Sequence, residues 1–257
     1  MPTGHAGISQ RSLATLAFLG SAGVASWGGT SIVVLHTPAK AVIAADSKTT
    51  IRGARGPIGA IETCKIHTVD DAVFVTAGTV GGSGLDVEQI ATESMKGGGS
   101  LLERVGRFEG HIKQPLLGHL RALHAEDPAR LVRDFSEGVV LDIAFVRMEG
   151  GRPSVYVRGY RLGPVANGSP TLTVQRSDCP GADCKGPLNA LILGDQDAAR
   201  ATAVSLLGNR DVPDDLVVPA VKIVEAQAAA TPVTVGGAVT VIQVDHAGLH
   251  WIHKGHC

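Results

Sequence analysis

Trp27-Gly28-Gly29-Thr30-Ser31-Ile32-Val33-Val34 opens a β-rich stretch that runs through Ala44-Ala45-Asp46-Ser47-Lys48-Thr49-Thr50 to Cys64-Lys65-Ile66-His67. The Val/Ile runs Thr30 to Leu35 and Lys40 to Ala45 flank His36-Thr37-Pro38-Ala39, a hairpin signature. Cys64 to Val69 and Ala72 to Ala77 repeat the pattern, with Asp70-Asp71 as the turn. These runs are apolar almost throughout, which suits strands of a sheet covered on both faces.

Further along, the period changes. Val87, Ile90, Ala91 and Met95 form a helical stripe within Leu85 to Met95. Ser100 with Glu103 reads as a capping box for a second helix, with Leu101, Val105, Phe108, Ile112, Leu116 and Leu120 inward and Pro115 introducing a kink. Val139 to Arg147 and Ser154 to Tyr160 flank Met148-Glu149-Gly150-Gly151-Arg152-Pro153 as another hairpin. Leu188 to Leu193 reads as a strand leading through Gly194-Asp195 into a helix from Ala198 to Leu207. Asp214 or Asp215 caps a last helix to about Ala229, and strands at Val233 to Val244 and Leu249 to His253 close the chain. Strands, two helices, strands, two helices, strands is an α+β order. A four-layer α-β-β-α sandwich buries the apolar faces of all these pieces.

With 257 residues, 44% hydrophobic and 18% charged, the chain supports one core-bearing domain, read here as residues 30–257. A formal net charge of −1 without a Lys/Arg run argues against nucleic acid as a partner. The 33 glycines follow no fixed period, which excludes collagen-like and repeat architectures. Residues 1–29 read as a signal peptide, a pro-segment or both: Arg11 precedes the uncharged stretch Ser12 to Ser26, and Val24 and Ser26 suit cleavage before Trp27. The signal-peptide reading favours export to a periplasmic or secreted location; the alternative is an apolar pro-segment of a cytoplasmic protein. Cys179 and Cys184 flank Pro180-Gly181-Ala182-Asp183, a turn able to bring their sulfurs together as a disulfide. The sequence does not pair Cys64 or Cys257, and the cysteine spacing does not suit zinc.

Gly-Thr at a strand start, Asp46 sixteen positions on and Lys65 before the next strand resemble the proteasome β-type subunits, threonine-nucleophile members of the N-terminal nucleophile (Ntn) hydrolases. The resemblance is strongest from Gly29 to about Gly78. It implies that Thr30 becomes a chain terminus by self-cleavage after Gly29 and then acts as the nucleophile. The chemistry is coherent: a threonine hydroxyl needs a base, and a freed α-amine with a reference pKa of about 7.7–8.0 supplies one. By the same resemblance Lys65 sits beside the Thr30 hydroxyl, Asp46 orients and charges Lys65, and the Gly78 N–H meets the oxyanion. Lys48 and Asp195 are expected in support. No cofactor or metal is implied. The expected substrate is a peptide or another amide, and homo-oligomeric rings are the family's habit.

The chain departs from the family's pattern in two places. Lys48 stands where the family usually has Arg. Gly194-Asp195-Gln196 and Pro232-Val233-Thr234-Val235-Gly236-Gly237 stand where it has Gly-Ser and Asp-x-x-Ser-Gly. A longer loop, Arg52 to Thr63, is expected to border the substrate pocket. Each residue also has an ordinary use: Asp46 as a turn cap, Lys65 as a strand-edge charge, Gly78 as a turn residue. The alternatives are a small-molecule amidase or acylase of the same fold, or a non-catalytic assembly subunit. The C-terminal His250-Trp251-Ile252-His253-Lys254-Gly255-His256 is a poor metal site, because His250 and His253 point to opposite faces of a strand. Gly78-Thr79-Val80-Gly81-Gly82-Ser83-Gly84 lacks the Gly-Lys-Ser/Thr ending of a phosphate loop, and no nucleophile-elbow Gly-x-Ser-x-Gly occurs in strand–helix context.

Overall fold

The computed structural model describes residues 29–53, 56–82, 84–136, 138–166, 168–181, 184, 186–208 and 211–257. The expected leader, with its cleavage point before Trp27, lies outside the described residues. The chain begins with β1 (Ser31–His36), β2 (Lys40–Ala45) and the hairpin β3 (Lys48–Gly53) and β4 (Gly56–Glu62). It continues through β5 (Ile66–Val69), β6 (Ala72–Gly78) and the two-residue pair β7 (Gly81–Gly82) and β8 (Leu85–Asp86). Three helices follow: α1 (Val87–Met95), α2 (Leu101–Glu126) and α3 (Pro128–Asp134). After these come β9 (Val139–Glu149), β10 (Arg152–Ala166), β11 (Ser169–Cys179) and β12 (Asn189–Gly194). The rest is α4 (Asp197–Leu207), α5 (Val217–Ala230), β13 (Thr240–Asp245) and β14 (Gly248–His253).

The protein is a mixed α+β fold with several antiparallel sheets. One five-stranded sheet runs β12-β1-β2-β13-β14 and the other β11-β10-β9-β6-β5. The near-continuous apolar runs have a direct structural cause. Ile32 and Val34 of β1 and Ala41, Ile43 and Ala45 of β2 enter a core shared with Val73, Val75 and Ala77 of β6. Their alternate neighbours Val33, Leu35, Val42 and Ala44 pack on α4 and α5 instead. Likewise Phe74, Ile143 and Phe145 meet α1 and α2. Because side chains alternate across a strand, a run apolar at every position has two covered faces.

The capping box at α2 is formed: Glu103 N–H donates to Ser100 Oγ at 3.3 Å, and Ser100 N–H donates to the Glu103 carboxylate at 2.7 Å. The cap contributes about 1 kcal/mol. The six inward residues expected of α2 are all fully buried, each worth about 1.5–3 kcal/mol. Burial, not capping, therefore holds this helix. Pro115 lies inside a continuous 26-residue helix.

Four expectations are corrected. Residues 52–63 are largely a hairpin rather than a loop, with Lys48 opposite Glu62 and Thr49 opposite Ile61. The strand expected from Val233 starts only at Thr240, because Gly236 and Gly237 take positive φ values of 154° and 75° and turn the chain. α5 has Leu216 at its N-cap, though Asp215 does accept the Val217 N–H at 2.8 Å. β11 and α3 are additional elements. Among the described residues no helix is long and apolar enough to cross a membrane.

Disulfides join Cys179 to Cys184, as the turn between them suggested, and Cys64 to Cys257.

Candidate active site

Asp46 leaves the end of β2 buried, at 1% exposure. A buried carboxylate must be paired and hydrogen-bonded to be tolerated, and this one is. Its Oδ1 accepts from Ser31 N–H at 2.8 Å and from Lys65 Nζ at 2.8 Å. Its Oδ2 accepts from Lys48 N–H at 3.2 Å and Gly236 N–H at 3.1 Å. Four donors from four segments fix the carboxylate without freedom to rotate.

Lys65, at 5% exposure, lies one residue before β5. Its ammonium donates to Asp46 and to the Lys48 carbonyl at 2.5 Å. Burial pushes its pKa below the ordinary lysine value, while the Asp46 charge and hydrogen bond pull it back up. The Asp46–Lys65 pair thus holds the Lys65 amine buried and oriented.

Thr30 precedes β1 and is held through its backbone. Its carbonyl accepts from Asp195 N–H at 2.8 Å, and the next residue, Ser31, donates to Asp46. Gly194, ending β12, has φ +80°, and a Cβ there would run into the Thr30 carbonyl. Gly29 is confined too, since a Cβ on it would strike the backbone of Thr234. Small residues at 29 and 194 are therefore what allow the chain around Thr30 to pack so closely.

A cavity of about 640 Å³, within the range of small-ligand sites, is lined by Gly29, Thr30, Lys65, Gly78, Gly194 and the hairpin residues Thr49, Thr50, Ile51, Ile61 and Thr63. The β3–β4 hairpin and Thr63 beyond it thus border the cavity. Thr49 and Thr63 hydroxyls bond across the base of the hairpin at 2.6 Å. The opposite wall comes from α1, α2 and α3 and their flanks, including Glu88, His119, Leu123, Glu126, Arg130 and Phe135. Gly78 ends β6 with φ +99°, and a Cβ there would lie 2.7 Å from the Val140 carbonyl oxygen.

The expected residues Gly29, Thr30, Lys65 and Gly78 therefore share one cavity, with Asp46 behind Lys65. The two support residues behave differently. The Lys48 side chain reaches away to the Pro232 carbonyl at 2.6 Å, so Lys48 serves the centre through its backbone N–H and C=O. Asp195 lies against Thr30; burial raises its pKa, Thr231 hydrogen-bonds its side chain, and its Oδ2 is buried without a partner among the described residues.

The sequence reading missed Asp142. This β9 carboxylate is paired with Arg161 at 2.6 Å and accepts the Gly194 N–H, bracing the turn beside Thr30 from the other sheet. Burial raises its pKa against the Arg161 charge. The signal was there: an aspartate inside the apolar run Val139-Val140-Leu141-Asp142-Ile143-Ala144 needs a partner. Away from the cavity, His36, Cys179 and Cys184 bring their side-chain donor atoms within 4.8 Å of one another, but the two sulfurs are engaged in their disulfide.

No protein-family model matches this chain, and no curated protein matches it.

Proposed function

We propose that the protein is a self-processing threonine hydrolase of peptide or other amide bonds, with the four-layer α-β-β-α fold of the Ntn hydrolases. The observation that carries the reading is the buried Asp46–Lys65 pair opening onto the cavity that Gly29 and Thr30 also line. Three apolar cores in series support the layering: α1 and α2 on one sheet, sheet on sheet, and the other sheet on α4 and α5. Two disulfides, with no free cysteine among the described residues, support export to an oxidising compartment.

In maturation, the Thr30 hydroxyl oxygen attacks the Gly29 carbonyl carbon. As the C–N bond breaks the hydroxyl proton passes to the departing nitrogen, which becomes the Thr30 α-amine, and the Gly29 acyl group remains as an ester on the Thr30 oxygen. Water hydrolyses that ester, releasing the Gly29 carboxylate and restoring the hydroxyl. In turnover, the α-amine takes the hydroxyl proton as the oxygen attacks a substrate amide. The Lys65 charge favours the developing alkoxide, and the Gly78 N–H meets the oxyanion. The leaving amine collects the proton, and water releases the acyl group.

Intact mass and N-terminal sequencing of the purified protein should give a chain beginning at Thr30, and Thr30→Ala should keep the Gly29–Thr30 bond. An uncut bond in wild-type material, or normal maturation of Thr30→Ala, overturns the proposal.

A further inference from the structure

One oxygen of the Asp195 carboxylate has nothing to satisfy it. Asp195 is 4% exposed, and its Oδ2 is buried without a hydrogen-bond partner among the described residues. The Thr231 side chain and the Gln196 N–H bond to the carboxylate, but no cation pairs with it among the described residues. Asp197, in the first turn of α4, adds like charge. The other buried carboxylates near Thr30 are matched: Asp46 by Lys65 at 2.8 Å and Asp142 by Arg161 at 2.6 Å. A buried acceptor left without a donor costs stability, so Asp195 is the exception in this site.

The nitrogen that cleavage frees lies beside it. Asp195 is one step beyond the paired residues Ser31 and Gly194, so it stands opposite Thr30, and its N–H donates to the Thr30 carbonyl at 2.8 Å. From the other side comes the turn that starts at Thr231, where Thr234 N–H donates to the Thr231 carbonyl at 3.0 Å. Thr231 bonds the Asp195 carboxylate, and the Thr234 carbonyl is what a Cβ on Gly29 would strike. The carboxylate and the Gly29–Thr30 bond thus share both neighbours. Thr30 is 8% exposed, and its N–H also has no hydrogen-bond partner among the described residues. As a peptide nitrogen it holds one hydrogen, aimed by the peptide plane. As a terminal ammonium it has three donors and turns freely about the N–Cα bond.

We propose that Asp195 is the acceptor for the Thr30 α-amine, so that cutting the Gly29–Thr30 bond turns an orphaned buried carboxylate into an ion pair. This inference rests on the reading of Thr30 as nucleophile. The pair favours the ammonium that forms when the amine takes the hydroxyl proton, and it fixes how the amine is turned. The serine of the family's pattern brings no charge to this place, whereas the aspartate does. Lys65 with Asp46, and Asp142 with Arg161, are matched pairs, so Asp195 sets the local sign, with Asp197 behind it.

The test needs a Thr30 terminus that does not depend on self-cleavage. A ubiquitin-like domain ending in Gly-Gly is fused directly to Thr30, and its own protease then frees the terminus from the folded fusion. The α-amine pKa is read from the pH dependence of its acetylation by acetic anhydride, followed by the mass of the N-terminal peptide. Asp195→Asn should lower it by about one unit or more, the shift that an opposite charge in contact gives. Asp197→Asn should lower it much less. Native wild type should show a higher value than the same chain unfolded in guanidinium, a comparison that needs no variant. In turnover of a small amide, the acid limb of kcat/KM should move to lower pH in Asp195→Asn by the same amount as the acetylation value.

An α-amine pKa unchanged in Asp195→Asn, or lowered equally in Asp197→Asn, overturns the pairing and leaves the hydrolase standing. If Asp195→Asn does not fold, a native wild-type value at or below the unfolded one overturns it instead. No self-cleavage of the wild-type chain and no turnover by the freed one overturns the hydrolase, and the acetylation series still decides the pairing.

Discussion

Replacing Asp46 with alanine should destabilise the fold severely, and the size can be worked from its contacts. The carboxylate accepts one charged and three backbone donors, and the charged one, Lys65, is 5% exposed. Removing it strands a buried ammonium, and breaking such a pair by deleting one partner costs about 3–5 kcal/mol. Against a total stability of about 5–15 kcal/mol the variant folds but is marginal. Lys65→Met should cost less, because Asp46 keeps three N–H donors. The double variant should lose less than the sum of the singles, by about 2–3 kcal/mol, since no orphaned charge remains. Burial alone then acts on Lys65 in Asp46→Ala, and burial lowers its pKa, so the ammonium gives up its proton more readily. The assay is guanidinium unfolding by circular dichroism at pH 7.5. All four proteins should be made on a Thr30→Ala background, so that each keeps the same chain. Additive losses of less than about 1 kcal/mol each would refute the reasoning, because that is what a solvated surface pair gives.

His36 gives a pH dependence. Burial lowers its pKa from 6.5 to about 4, so between those values the unfolded chain holds more protons than the folded one. As the pH is lowered through that window stability should therefore drop by about 3 kcal/mol from this group, and His36→Leu should flatten the slope of guanidinium midpoints between pH 7 and 4; an unchanged slope assigns it elsewhere. Gly194→Ala should cost at least about 2 kcal/mol by the same unfolding assay, from positive φ and from the collision with the Thr30 carbonyl. Gly150→Ala, at φ +57° with nothing within 4 Å, should cost less, about 1–2 kcal/mol; equal losses would show that the contact at Thr30 is loose.

What could be read from the sequence was whatever leaves a local pattern. β1, β2 and β6 announced themselves as Val-rich runs, and α2 by its stripe and capping box. Thr30, Asp46 and Lys65 were legible because their spacing accompanies that strand order. β11 was not, since Ser169–Cys179 carries Gln175, Arg176 and Asp178 among exposed or half-buried positions and shows little apolar period. α3, at seven residues, is too short to show one. The Gly-Pro-rich β4 reads as a turn until its partner is known. Long-range pairings leave no local trace. Asp142 reaches Gly194, and Gly236 reaches Asp46, only after both sheets are assembled. Lys48 was expected only in support, and the fold brings its peptide group to Asp46 and Lys65, a contact any residue would supply.

The bond between Cys64 and Cys257 spans a sequence separation of 193, and Lys65 lies just inside that span. A protease that nicked the exposed Gly150–Gly151 turn would therefore produce two fragments that stay covalently attached, one carrying Thr30, Asp46 and Lys65 and the other the β12–α4 turn that braces them. The same holds for a single cut anywhere between residues 65 and 256. In surroundings that hold proteases, the candidate site can survive a wound to the chain as one body, and only reduction would let the pieces part.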